Sequence, residues 1–430
     1  MKTVSRMALG LALAVGIAGG SMVTPAFAQK KKEEAAPAAP EAKKYKLSKK
    51  AQKALMEAQT AQQAGDNDGA LAKIREAEAI AETPDDRFMA NSLKINIGLA
   101  KSDTKLQEEG IAGAIASGQL DADLKYKFQR NLAALALQRN DTARAIQVYE
   151  QMAADRPNDG ETVVSLGEMY NRGGRTADAV RTIRKAIDAQ KAAGVAVPET
   201  WYKRALALAY DAKIAGEVTP SSLMLVGAYP TPTNWRDALV IFRDSAGLDD
   251  QGNLDVMRLM YDTKSLTGER DYFEYAETAN GRGLPGEAKM ALDQGVAKGV
   301  LSASKPHIKE LVGIVTPKVK GDRASLAGLE KEARASATGK LAKATADGYL
   351  GYGENAKAAD LYRAALQKGG VDAAEVNTRI GIALARTGDK AGATAAFNAV
   401  TGKRAELAKF WLAHINQAPT ATAATTTTGG

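Results

Sequence analysis

A chain of 430 residues with 45% hydrophobic content can bury a sizeable core, and 5% aromatics in an alanine-dominated apolar set favour closely packed helices over sheets. The sequence has no cysteine, which excludes disulfides, thiolate metal sites and a lipid-modified cysteine. The formal charge of +8 is modestly basic, and two of those charges, Lys2 and Arg6, sit at the extreme N-terminus.

These two residues precede an apolar stretch from Met7 to Ala18, and "AFA" at Ala26 to Ala28 follows Pro25. This is the layout of a secretory signal peptide, and its apolar run falls short of the roughly 20 residues a spanning helix needs. Residues 1–28 are therefore expected to be cleaved after Ala28, leaving a periplasmic chain of charge +6 that is neither lipidated nor membrane-spanning. Export sets nucleic acid aside as a partner. Residues 29–46, "QKKKEEAAPAAPEAKKYK", read as a disordered linker, and residues 418–430, "APTATAATTTTGG", as a disordered tail. The folded region is expected over 47–417.

Within it, two segments align at a 34-residue spacing. Leu132, Ala133, Ala136, Asn140, Ala145, Tyr149 and Met152 are matched by Leu166, Gly167, Tyr170, Gly174, Ala179, Ile183 and Ala186, and Pro157 closes the first segment. Val163, Gly167 and Tyr170 share one helix face, as do Ala179, Ile183 and Ala186. The small residues Gly167 and Ala179 permit close helix approach, and Gly174 suits a helix end in the left-handed conformation. The stretch "SLGEMYNRGGRTADAVRTIRKAI" resembles the tetratricopeptide repeat, a helix-turn-helix unit with W-x2-L-G-x2-Y, A-x3-F and P positions. The resemblance implies an all-α, right-handed helical solenoid of about seven or eight antiparallel helix pairs.

Further copies follow the same stripe. Ala54, Ala58, Ala61, Gly65, Ala70, Ile74 and Ala77 form one, Ala342, Ala346, Tyr349, Gly353, Ala358, Tyr362 and Ala365 another, and Gly381, Leu384, Gly388, Ala393, Phe397 and Val400 a third. Phe88 to Gly118 keeps only the apolar rhythm. One copy is split: Trp201 and Ala205 belong to its first helix and Ala238 and Phe242 to its second, with an insert at about 212–233. The insert carries Leu223, Met224, Leu225 and Val226, read either as an apolar loop for a partner or as a segment folded onto its own repeat. Residues 302–339 read as a helical pair broken at Pro317. The helix from Arg404 to Asn416, with Leu407, Phe410, Trp411 and Ile415, is expected to cap the last repeat.

Catalytic signatures are sparse. Gly281 to Gly286, "GRGLPG", matches a dinucleotide fingerprint literally, but it follows a helical stripe (Tyr272, Ala276, Ala279) where the fingerprint demands a strand, so it reads as an inter-helix turn. His307 and His414 read as helix-surface residues, and Asp249, Asp250 and Asp255 as carboxylates in or beside a turn. Neither cofactor, metal nor enzyme activity is expected. Off-stripe residues of the first helices, Arg130, Glu168, Asn171, Arg172, Tyr202 and Tyr210, are candidates for a partner-binding groove. The expected function is an exported scaffold or adaptor for a protein or peptide partner in the cell envelope. A glycan or anionic-polymer binder is the alternative, and an enzyme with its site in the insert ranks third.

Overall fold

Among the described residues every regular element is a helix; the computed structural model describes residues 45–214 and 216–417. The expected signal peptide, the linker up to residue 44 and the tail from 418 lie outside them. The chain forms two compact units, the first ending at Arg175 and the second beginning at Thr176.

The first unit holds α1 (Lys49–Gln63), α2 (Asn67–Ala79), α3 (Pro84–Ala100), α4 (Thr104–Ala116), α5 (Ala122–Gln138), α6 (Thr142–Asp155) and α7 (Gly160–Arg172). Helix starts are specified locally. Ser48, Asp66, Asp103, Asp121, Asp141 and Asp159 each accept a first-turn backbone amide, and Thr83 with Asp86 forms a capping box on α3. Ala54, Ala58, Ala70, Ile74 and Ala77 are buried where α1 packs on α2, as the stripe requires. The degenerate copy is α3 and α4, whose backbones approach through glycine: a Cβ on Gly110 would stand 2.9 Å from the Asn91 carbonyl oxygen. At the start of the described residues the Tyr45 ring stacks on Phe88 at 5.0 Å.

The second unit holds α8 (Thr176–Ala192), α9 (Glu199–Asp211), α10 (Val218–Ala228), α11 (Pro232–Ala246), α12 (Asp250–Asp262), α13 (Glu269–Gly281), α14 (Pro285–Ala297), α15 (Pro306–Ala335), α16 (Lys340–Gly351), α17 (Asn355–Lys368), α18 (Ala373–Thr387), α19 (Lys390–Asn398) and α20 (Arg404–Ile415). Among the described residues α9 packs on α10, α13 on α14, α16 on α17 and α18 on α19, as α1 does on α2, α3 on α4 and α5 on α6 in the first unit. "GRGLPG" is the α13–α14 turn: Gly283 has φ +74°, which a residue with a Cβ adopts at a cost, and Pro285 opens α14.

Three expectations change. The insert is a helix, α10, and α9 packs on it, so the split copy is really two successive elements. Pro317 does not break a pair; it lies inside the 30-residue α15. Both Pro317 and Gly313, whose carbonyl loses its helical donor, are on the exposed face, so the unpaired carbonyl is not sealed in the core. Lastly, α20 does more than cap a terminal repeat: it packs on α18 and α19 and also on α10 and α12. Phe410 sits 5.0 Å from the Phe242 ring and 6.4 Å from Trp235, while Trp411 stacks on Phe397 at 5.7 Å. The second unit therefore closes on itself, and one core runs from Val226 to Trp411.

Within α10, the Ser221 and Ser222 hydroxyls are buried without hydrogen-bond partners. Replacing either serine with alanine should leave stability unchanged or raise it by about 1 kcal/mol, because a desolvated hydroxyl with no bond contributes nothing favourable. A clear fall in the urea midpoint of Ser222→Ala would contradict this.

Candidate binding site

The six groove candidates fall into separate units. Arg130 is exposed on α5, and Glu168, Asn171 and Arg172 lie on α7 with Arg172 exposed, all in the first unit. Tyr202 and Tyr210 are on α9 in the second. Tyr202 is not a groove residue: it is 2% exposed, with its ring edge-on to Tyr229 at 5.7 Å. Spacing placed it off the stripe, but α10 covers that side of α9 and turns it into core. The apolar insert is covered in the same way. Leu225 and Val226 are buried, and half-buried Leu223 packs on the core with Met224 beside it. The hydrophobic quartet thus holds α10 down and does not form an exposed loop.

Of the six, Tyr210 lines a substantial cavity. A cleft of about 830 Å³ opens between the α9–α10 turn, the C-terminal end of α11 and the first turn of α20. Ile214, Val218 and Phe242 supply apolar lining, while Tyr210, Asp211, Lys213, Asp244, Lys403 and Glu406 supply polar groups. The Tyr210 hydroxyl donates to Asp244 Oδ2 at 2.8 Å. That bond and the carboxylate's charge raise the phenol pKa above its ordinary value, so the hydroxyl stays protonated at neutral pH. The cleft offers donors and acceptors over an apolar base, and its ionisable side chains are two basic against three acidic. A shallower groove of about 810 Å³ lies on α1 and α2 around the exposed Met56, with Lys49, Lys53, Glu57 and Lys73 along it.

The interior of the second unit holds a network of paired charges. Arg258 makes a bidentate pair with Glu287, Nε to Oε1 at 2.7 Å and Nη2 to Oε2 at 2.6 Å, and donates from Nη1 to Asp255 Oδ1 at 2.6 Å. Arg379, from α18, reaches Asp255 at 3.2 Å and Asp347 at 2.8 Å, and Arg404, from α20, donates to the other Asp255 oxygen. Tyr275 donates to Glu287 and Tyr362 to Asp347. Arg379 Nη1 also pairs with Glu375 at 2.6 Å, so the three guanidinium groups face the carboxylates of Asp255, Glu287, Asp347 and Glu375, and Arg258, Arg379 and Asp255 are fully buried. Burial alone would raise the pKa values of Asp255 and Glu287, but the surrounding arginines outweigh it and hold both below the usual carboxylate range.

Asp255 is therefore an interior α12 residue that joins α12 to α18 and α20, not a turn carboxylate. Two of its partners, Arg379 and Arg404, lie 124 and 149 residues away in sequence, and only the placement of Asp255 and Arg379 among apolar neighbours ("LDVMRLM", "TRIGIALAR") signals the pairing. Asp249 caps α12. His307 is on the surface as expected, against Glu269 at 3.2 Å, but His414 is half-buried against the Trp235 and Trp411 rings. Among the described residues no group of three or more acidic or histidine side chains is placed to hold a metal ion, and no helix is long and apolar enough to cross a membrane.

No protein-family model and no curated protein matches this sequence. Solved structures do. A chain described as the YrrB tetratricopeptide repeat protein with an unusual peptide-binding site is similar at 12% identity, over 41% of this chain and 85% of that one, with a TM-score of 0.26. PilF of Pseudomonas aeruginosa is similar at 14% identity over 61% and 96%, with a TM-score of 0.24. A tetratricopeptide repeat protein from Parabacteroides merdae is similar at 10% identity over 78% and 100%, also with a TM-score of 0.24. The all-α assignment rests on the hairpins and glycine turns described above.

Proposed function

We propose that this chain is an exported, non-catalytic scaffold that holds a protein partner in the cell envelope, taking an extended peptide segment in the cleft beside Tyr210. The charge of that cleft carries the reading. Its lining has three acidic and two basic side chains over apolar residues, although the whole chain is basic. A polyanionic glycan gains nothing from such a surface, whereas a peptide presents main-chain donors and acceptors, apolar side chains and charges of both signs.

A photoreactive residue placed at the exposed Lys213 is expected to trap one protein in native cells, seen as a single new mass on denaturing gels. The same residue at Lys331, exposed on α15, should trap none. Salt-sensitive retention of envelope polysaccharide, with no protein adduct at position 213, would overturn the scaffold reading in favour of polymer binding. The export part has its own check. The mature chain recovered from the periplasm should begin at Gln29, and a cytoplasmic chain beginning at Met1 would remove it.

A further inference from the structure

At the opposite end of α20 from the cleft lies a pocket of about 460 Å³, lined by Asp262, Ala385, Arg386, Gly388, Lys390, Trp411, His414 and Ile415. It is built by four elements: α12 brings Asp262, α18 Arg386, the start of α19 Lys390, and α20 Trp411 and His414. The two α20 residues are three apart and so share one face of the helix.

Three of these side chains carry a buried polar atom with no hydrogen-bond partner: Arg386 Nη2, Trp411 Nε1 and His414 Nδ1. Trp411 is 0% exposed, and a buried indole N–H ordinarily finds an acceptor. Arg386 is fixed through its other side, donating from Nε to Asp262 Oδ2 at 3.0 Å. These three unpartnered atoms belong to side chains that line one pocket.

The chemistry of the atoms selects the ligand. Indole and guanidinium N–H groups only donate, so the ligand has to bring acceptors. Asp262 is offset by Arg386, and Lys390 on the exposed rim adds one positive charge, which matches a monoanion better than a phosphate dianion. Ala385, Ile415 and the Trp411 ring give the remaining wall an apolar character. We propose that this pocket binds a small monocarboxylate with a short apolar body, its oxygens accepting from Arg386 Nη2 and Trp411 Nε1 and its apolar end resting against Ile415 and Ala385. His414 completes the set. Burial lowers its pKa, so the imidazole is neutral at pH 7 and its Nδ1–H tautomer supplies a third donor.

The probe pair is benzoate and its neutral isostere benzamide, titrated into the full chain with 15N-labelled tryptophan. The three indole N–H signals are assigned by Trp→Phe variants. Benzoate is expected to shift the Trp411 signal saturably and leave Trp201 unmoved, with benzamide at least ten-fold weaker. Lys390→Gln, at the exposed rim, should weaken benzoate by roughly three-fold, the size of one exposed charge interaction, without altering the fold. Arg386→Gln should abolish the shift. No movement of the Trp411 signal at about 10 mM benzoate, above the millimolar Kd of a weak small ligand, overturns the site. Equal binding of benzamide overturns the carboxylate assignment.

Discussion

Replacing Asp255 with asparagine should destabilise the second unit by about 3–5 kcal/mol, because it leaves Arg258, Arg379 and Arg404 with one fewer charge partner in an interior that water does not reach. Against the roughly 5–15 kcal/mol that holds an ordinary domain together, that is a large share. The chain has a convenient internal reporter. Its three tryptophans, Trp201, Trp235 and Trp411, all lie in the second unit, so tryptophan fluorescence follows that unit while circular dichroism follows both. In guanidinium the fluorescence midpoint of Asp255→Asn should drop well below that of the unchanged chain, and the part of the dichroism signal belonging to the first unit should stay in place. Simultaneous replacement of the ions by apolar residues of similar volume is a separate matter. A variant carrying only Asp255→Leu, Arg258→Met and Arg379→Met should not recover the loss, because it strands the buried Glu287 and Asp347 carboxylates without their arginines.

The same network sets the acid limit. Asp255 and Glu287 have folded-state pKa values below their unfolded ones, so each contributes stability that is complete above the ordinary carboxylate pKa of about 4 and is lost as the pH falls through the lower folded value. Fluorescence-detected stability should therefore hold level with respect to these groups from about pH 8 to pH 5 and decline below about pH 4. Asp255→Asn should show a shallower decline, having one fewer such group. A decline that begins near pH 6 would assign the acid sensitivity to other groups.

Much of the architecture was legible because the information is local. The turn glycines Gly65, Gly174, Gly283, Gly353 and Gly388 all have φ between +74° and +84°, and the stripe residues on either side of Gly65, Gly353 and Gly388 are mostly buried. A hairpin is decided by residues within one repeat length of each other, so periodicity suffices. What escaped was non-local. The segment "VTPSSLMLVGA" has no amphipathic stripe because α10 is held by α9 and α11 along the chain and by α20 from far beyond it, so its pattern left open whether it was a loop or a segment folded onto its own repeat. The closure of the second unit depends on pairs such as Arg379–Asp255 and Arg386–Asp262, which spacing within a repeat cannot reveal. That closure is why the candidate site came out smaller than the groove that was expected. Of the α9 residues, Tyr210 lines a cleft and Tyr202 is core.

Closure also predicts how damage spreads. In an open array each repeat touches only its neighbours, so a change in the last helix is felt by the last hairpin and fades from there. Phe410 provides the discriminating position: it is fully buried and packs on Phe242 and Trp235 of α11, while its neighbour Trp411 faces Phe397 of α19. Phe410→Ala should cost about 3–5 kcal/mol from lost burial and the cavity left behind. Hydrogen exchange should then accelerate first in α20 and in α10 and α11, more than 160 residues earlier, with α18 and α19 less affected. Exchange that rises in α19 and α20 alone would mean that the unit is an open array in solution. With α20 loosened, the cleft beside Tyr210 would lose the wall supplied by Lys403 and Glu406. Partner capture at Lys213 should therefore fall in Phe410→Ala while that surface lysine itself is untouched, which ties the closure of the fold to the proposed binding site in one measurement.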